Sequence, residues 1–199
     1  MVLFFFGSFN PISIAHLELA KYSLDLLKYE KVVFIPCPNQ YIIDTNREVF
    51  QSRIRLELLN LVKENNPWME ISGIEINSNK SIRTYDSLLK LKQTGYNGKL
   101  LLGSDNVIQL EKVWKNVDKI CKEFGIVCLE RNNMDISEYI RKDKYLSTLS
   151  NYIEVIKGPK ELQNVSSTEI RKLIKEKNYS KLKLLVPDEV YNYFRSKHE

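Results

Sequence analysis

The sequence predicts an α/β fold built on a doubly wound parallel sheet, and two features of its patterning say so. Short continuous apolar runs, several closed by glycine or proline, mark strands buried on both faces. Between them lie stretches whose apolar residues recur at helical spacing, and this alternation is the pattern of a sheet with helices on both sides. Val2 to Phe6, ended by Gly7, is the first strand. Ile14, Leu17, Tyr22, Leu24 and Leu27 give a helix over Ile14 to Leu27, and Val32 to Ile35, stopped by Pro36, reads as the next strand. The alternation continues with a helix around Glu48 to Lys63, a strand over Met69 to Ile76, a helix around Tyr85 to Gln93 and a strand over Lys99 to Leu102 closed by Gly103. Ile126 to Leu129 and Ile153 to Ile156 are later strands, and Thr168 to Lys177 and Asp188 to Lys197 form a C-terminal helical segment. The whole is a Rossmann-like arrangement. Arg131 to Asn151 is polar and without period, which predicts a mobile insertion.

At 199 residues the chain suits one domain, 1–199, burying roughly 70% of its unfolded surface. Apolar residues are 43% and charged residues 28%, a balance that excludes a disordered chain. The formal charge of +5 suits an anionic ligand without identifying one. The excess concentrates at the end of the chain, where Lys157 to Glu199 holds ten basic and six acidic residues and can face phosphate. Cys37, Cys121 and Cys128 have no metal-ligand or CxxC spacing, and an odd number argues against a disulfide framework. A reducing, cytoplasmic compartment is expected, and neither a leader peptide nor a membrane span is recognisable. Tyrosines and phenylalanines are dispersed and no RNA-recognition motif is present, so nucleic acid is not an expected partner. A homo-oligomer is compatible with the sequence, which does not specify one.

Two constellations carry chemistry. Gly7-Ser8-Phe9-Asn10-Pro11-Ile12-Ser13-Ile14-Ala15-His16 follows the first strand and opens the first helix. In an open α/β sheet ligands gather at the carboxyl ends of the strands, and a helix N-terminus there offers free N–H groups to phosphate. Gly7 permits close backbone approach, Ser8 can donate, and Asn10-Pro11 stiffens the turn. His16 falls in the first helical turn, where an imidazole can donate to a phosphoryl oxygen; a half-buried structural histidine is the competing reading. The second constellation, Val165-Ser166-Ser167-Thr168-Glu169-Ile170-Arg171, offers hydroxyl N-caps and an arginine one turn into an amphipathic helix. A plain helix cap explains its serines equally well.

The first segment resembles the signature of the nucleotidylyltransferase superfamily, whose usual form ends His-x-Gly-His. Ser13 stands where the first histidine would be and Ala15 where the glycine would be. The second resembles the superfamily's Ile-Ser-Ser-Thr-x-Ile-Arg motif. Nicotinamide mononucleotide adenylyltransferases, which accept threonine at the position of Ser13, are the most similar branch. The resemblance implies that Gly7, Ser8, Phe9, Ser13 and His16 bind ATP, that Ser166, Ser167 and Thr168 hold its phosphates, and that Arg171 grips the β- and γ-phosphates. His16 and Arg171 are the implied catalytic pair.

Between the motifs, Leu100 to Asn106 is a strand ending in Gly103 and Asp105. This resembles the Gly-x-Asp element that places adenosine, although an N-cap aspartate reads the same way. Trp114, nine residues after Asp105, can stack on a pyridine ring or belong to the core. The resemblance further assigns Ser8, Phe9, Tyr41, Thr84, Trp114 and Arg131 to the acceptor nucleotide, with Arg53 or Arg47 standing in for a phosphate-contacting lysine. Leu184 to Val190 resembles the family's closing helix, so the likeness spans nearly the whole chain.

These residues together imply AMP transfer from ATP to nicotinamide or nicotinic acid mononucleotide. Mg²⁺ is the expected cofactor, bound mainly through the ATP phosphates. Two alternatives stay open: a relative using phosphopantetheine, FMN or a phosphorylated alcohol, and a nucleotide-binding module that has lost catalysis.

Overall fold

The computed structural model describes residues 1–43, 49–78, 82–130, 135–159 and 165–196. Among them six strands form one parallel sheet: β1 (Val2–Gly7), β2 (Lys31–Pro36), β3 (Met69–Ile71), β4 (Gly98–Gly103), β5 (Ile126–Glu130) and β6 (Ile153–Lys157). Their order is β3-β2-β1-β4-β5-β6, so the winding reverses beside β1, between β1 and β4. This is the expected doubly wound fold, and the reversal is where such sheets open a crevice for ligands.

Alternate side chains of β1 go to opposite faces. Leu3 and Phe5 join a core with α1 (Ile14–Leu27) and α3 (Ser52–Glu64), and with the C-terminal helices α9 (Ser167–Lys175), α10 (Tyr179–Leu182) and α11 (Asp188–Ser196). Val2 and Phe4 join a second core with α4 (Thr84–Gln93), α5 (Ser104–Val107), α6 (Leu110–Val113), α7 (Val117–Glu123) and α8 (Ile136–Lys142). A short α2 (Asn39–Ile43) follows β2.

Three expectations change. The strand expected over Met69 to Ile76 ends at Ile71: Ser72 N–H donates to the Phe34 carbonyl, Gly73 follows, and Gly73 to Ser78 turns back on itself through Asn77 N–H to Gly73 O and Ser78 N–H to Glu75 O. The apolar Ile74 and Ile76 belong to that turn, not to the sheet. The described part of the stretch expected as a mobile insertion over Arg131 to Asn151, Asp135 to Asn151, is packed, because Ile136 and Ile140 on α8 and Leu146 and Leu149 on a 3-10 helix (Leu146–Tyr152) are buried in the second core. Spacings of four and three residues made that stretch helical where overall polarity suggested otherwise. The helix expected from around Glu48 starts at Ser52, and Glu48 lies outside the described residues.

Candidate active site

A cavity of about 470 Å³ opens at the carboxyl ends of β1 and β4. Gly7, Ser8, His16, Tyr41, Thr84, Gly103, Asp105 and Trp114 line it, so residues expected from five separate segments meet in one place. Tyr41 is 47% exposed at its mouth. Trp114 is half-buried, facing the cavity while packing on the second core, so both of its readings hold in part. Asp105 is not an N-cap: Gly103 occupies that position of α5, and Asp105 stands exposed in the first turn.

His16 is positioned by its own helix start. Ser13 caps α1, and its backbone N–H donates to His16 Nδ1 at 3.2 Å while the His16 N–H donates to Ser13 Oγ at 3.3 Å. Ser13 Oγ also lies 2.7 Å from Nδ1. A backbone N–H can only donate, so Nδ1 is an acceptor and the proton of the neutral ring is on Nε2. The ring is further fixed edge-on to Phe9, centroids 5.3 Å apart. Ser13, expected to bind ATP, is 1% exposed and is a positioning residue for His16. The Phe9 side chain, expected at the ligand, is likewise in the core against Phe5 and Phe34; Phe9 reaches it through a left-handed backbone at φ 41°. Gly7 is needed there, since a Cβ on it would come within 2.9 Å of the Phe9 ring.

The second motif reaches the first through Arg171. Its Nη1 donates to the Asn10 carbonyl at 3.0 Å, across 161 residues, and to Ser167 O at 3.1 Å, while Nη2 donates to Thr168 Oγ1 at 3.1 Å. Asn10 is buried and its Oδ1 accepts from Phe50 N–H at 2.9 Å. Ser166 caps α9 by accepting from Thr168 N–H. Ser166, Ser167, Thr168 and Arg171 therefore stand beside the Gly7 to His16 loop but outside the cavity wall itself. The Asn10-Pro11 bond is cis.

Arg53 is exposed and away from the cavity. The arginine that serves the site is Arg55, fully buried, which donates to Ser8 O and Cys37 O at 2.6 Å each and to Asn39 Oδ1 at 2.7 Å. Burial pulls its pKa down from the usual arginine value. A signal for it exists: Arg55, Leu58, Leu59 and Val62 fall at i, i+3, i+4 and i+7, the buried stripe of α3. Glu75 was also missed. It is 5% exposed in the turn after β3, lines the cavity, and accepts from Ser87 Oγ at 2.7 Å. Burial raises its pKa to about 7 against a smaller lowering by Ser87. Nothing in the local pattern marks it. Arg131 and Arg47 lie outside the described residues.

Among the described residues no three His, Cys, Asp or Glu side chains stand together as a metal cluster. No helix among them is long and apolar enough to cross a membrane. Cys37 borders the cavity, Cys121 and Cys128 are buried, and no disulfide joins any of the three.

The cytidylyltransferase-like family matches residues 4–173 of the chain. A probable nicotinate-nucleotide adenylyltransferase of Caldicellulosiruptor bescii is 32% identical over 198 residues, covering 98% of this chain and 96% of the relative. One from Flavobacterium psychrophilum is 32% identical over 195 residues, 95% and 93%. In fold the chain is similar to Plasmodium falciparum nicotinic acid mononucleotide adenylyltransferase complexed with APC, with a TM-score of 0.75 at 20% identity over 99% of this chain and 95% of that one. The same protein complexed with NaAD gives a TM-score of 0.72. The cavity with His16 at its wall and Arg171 anchored beside it is thus set in a chain that belongs to the cytidylyltransferase-like family, among relatives of the nicotinate-nucleotide adenylyltransferase type.

Proposed function

We propose that this enzyme transfers AMP from ATP to a pyridine mononucleotide, nicotinic acid or nicotinamide mononucleotide, releasing pyrophosphate. The observation that carries the reading is the Arg171 bond to Asn10, which puts the helix start of the second motif against the loop that presents His16. Phosphate groups laid across that junction meet an imidazole, a guanidinium and a helix N-terminus.

The acceptor phosphate is already anionic near neutral pH, so no general base is required. One of its oxygens attacks the α-phosphorus of ATP, the new P–O bond forms, and the bond to the β-phosphate oxygen breaks as pyrophosphate leaves. The protein positions the partners and neutralises charge. His16 Nε2–H donates to the α-phosphoryl oxygens. Arg171, with the Ser166, Ser167 and Thr168 helix start, receives the leaving pyrophosphate, the planar guanidinium matching two phosphate oxygens at once. Gly103 and Asp105 place the adenosine, and Thr84, Trp114 and Tyr41 enclose the acceptor. Mg²⁺ brought in on the ATP phosphates would supply charge neutralisation there, and the described residues would leave its coordination mainly to phosphate oxygens and waters, since no carboxylate cage stands among them.

The test is pyrophosphate release from ATP and Mg²⁺ with nicotinic acid mononucleotide, nicotinamide mononucleotide, phosphopantetheine and FMN offered separately, scored as kcat/KM. Release with a pyridine mononucleotide is expected. Release with another acceptor alone would move the enzyme to a different reaction of its superfamily, and ATP binding without any release would leave only a nucleotide-binding module.

A further inference from the structure

We propose that Glu75 is a specificity-determining residue that reads the ring substituent of the acceptor, donating to a carboxylate when protonated and accepting from a carboxamide when ionised. The inference rests on the pyridine-mononucleotide reading above and deepens it.

Glu75 lines the same cavity as Thr84 and Trp114, the residues given to the acceptor base. It is nearly shut off from bulk water, and Ser87, itself buried one turn along α4 from Thr84, donates to its Oε1. Among the described residues no cation is paired with it and Oε2 has no donor. A carboxyl group so placed is either a neutral acid with an O–H to give or an uncompensated anion. Burial brings the exchange between these forms to about pH 7.

Nicotinic acid and nicotinamide mononucleotides differ only in this substituent. A ring carboxylate beside neutral Glu75 accepts a short charge-assisted hydrogen bond; beside ionised Glu75 it meets a like charge in a poorly screened site. A carboxamide can donate its N–H to the ionised form. The other titratable and charged groups on the cavity wall are His16, Cys37, Tyr41, Arg83, Asp105 and Lys115. On the flanking elements, Glu70 of β3 is held by Lys31 and Tyr96, and Asp86 of α4 is exposed. Of these, only His16 belongs to a class that ordinarily titrates near neutrality, and it acts at the α-phosphate of ATP, which is common to both reactions.

The measurement is the ratio of kcat/KM for nicotinic acid mononucleotide to that for nicotinamide mononucleotide, followed with pH. The ratio cancels the titration of the shared 5′-phosphate and of His16. In the parent enzyme it should fall at least about tenfold between about pH 6 and pH 8. In Glu75→Gln, whose amide can still accept from Ser87 but does not titrate, the ratio should be flat. A parent ratio that does not change with pH overturns the proposal even if the variant fails to fold, and so does a Glu75→Gln ratio that follows the parent. If neither mononucleotide is adenylylated, the reaction assignment falls and this inference with it; activity on both with an unmoving ratio removes the inference alone.

Discussion

Ser13 and His16 are joined in one cap, yet replacing them should fail in different ways. His16→Ala removes the donor facing the phosphates and is expected to lower kcat by about 10² or more with the fold retained; a kcat close to the parent's in steady-state assays would refute its role. Ser13→Ala leaves the imidazole but strips its cap, costing about 1 kcal/mol in chemical denaturation and a smaller part of kcat. Arg171→Lys keeps charge but loses the fork, so the KM for ATP should rise while the KM for the acceptor holds. At this scale the sequence was readable as placement: His16 lines the cavity and Arg171 is bonded to the loop beside it. It was misleading where a side chain's direction decides. Phe9 and Ser13 lie within the motif yet turn into the protein, and Arg53 and Arg55, two residues apart on one helix, point to water and to the core.

Elements were legible where burial is two-sided. β1, β2, β4 and β5 show as unbroken apolar runs because both their faces carry helices. β3 is an edge strand bonded to β2 alone, and its limit is set by a tertiary turn that no local period announces. α8 was hidden for the opposite reason: only Ile136 and Ile140 of its seven residues are buried, too few to outweigh its polar composition. Its packing should nonetheless be felt. Ile140→Ala is expected to cost roughly 2–4 kcal/mol by urea unfolding; a cost below about 0.5 kcal/mol, the range of ordinary surface substitutions, would show the element to be peripheral. Gly98, opposite Val2 where β4 begins, has a stricter requirement. A Cβ there would lie 2.0 Å from the Val2 carbonyl oxygen, backbone that cannot swing aside. Gly98→Ala should therefore separate the strands and cost about 3 kcal/mol or more.

For the molecule as a whole, Glu75 couples stability to pH. Its folded-state pKa, about 7, stands above the ordinary 4.5, so the native state holds a proton that the unfolded chain has released between those values. The stability this group contributes is complete below the lower value, declines as pH rises through the window and is flat above the upper one. The Tm of the parent relative to Glu75→Gln should fall between about pH 5 and pH 8 by differential scanning fluorimetry; a constant difference would mean the carboxyl is ionised like any other. The doubly wound parallel sheet was implied by the alternation of elements and the meeting of the two motifs by the resemblance that set both on one ATP; the strand order and the packing of α9 to α11 that brings the chain's ends together came only with the structure.

That meeting bears on how the protein is made. β1 leaves the ribosome before its neighbours β2 and β4, which begin at Lys31 and Gly98, Ile14 N–H must wait for the Leu185 carbonyl, and Asn10 for Arg171. At typical translation speeds, the 161 residues between Asn10 and Arg171 take roughly 10–30 s to synthesise. A nascent chain in that interval has the imidazole of His16 without the guanidinium that anchors the second motif beside it. A chain broken before Ser166 would keep every residue that lines the cleft and lack the arginine that locks the far end of the sequence to the Asn10 loop.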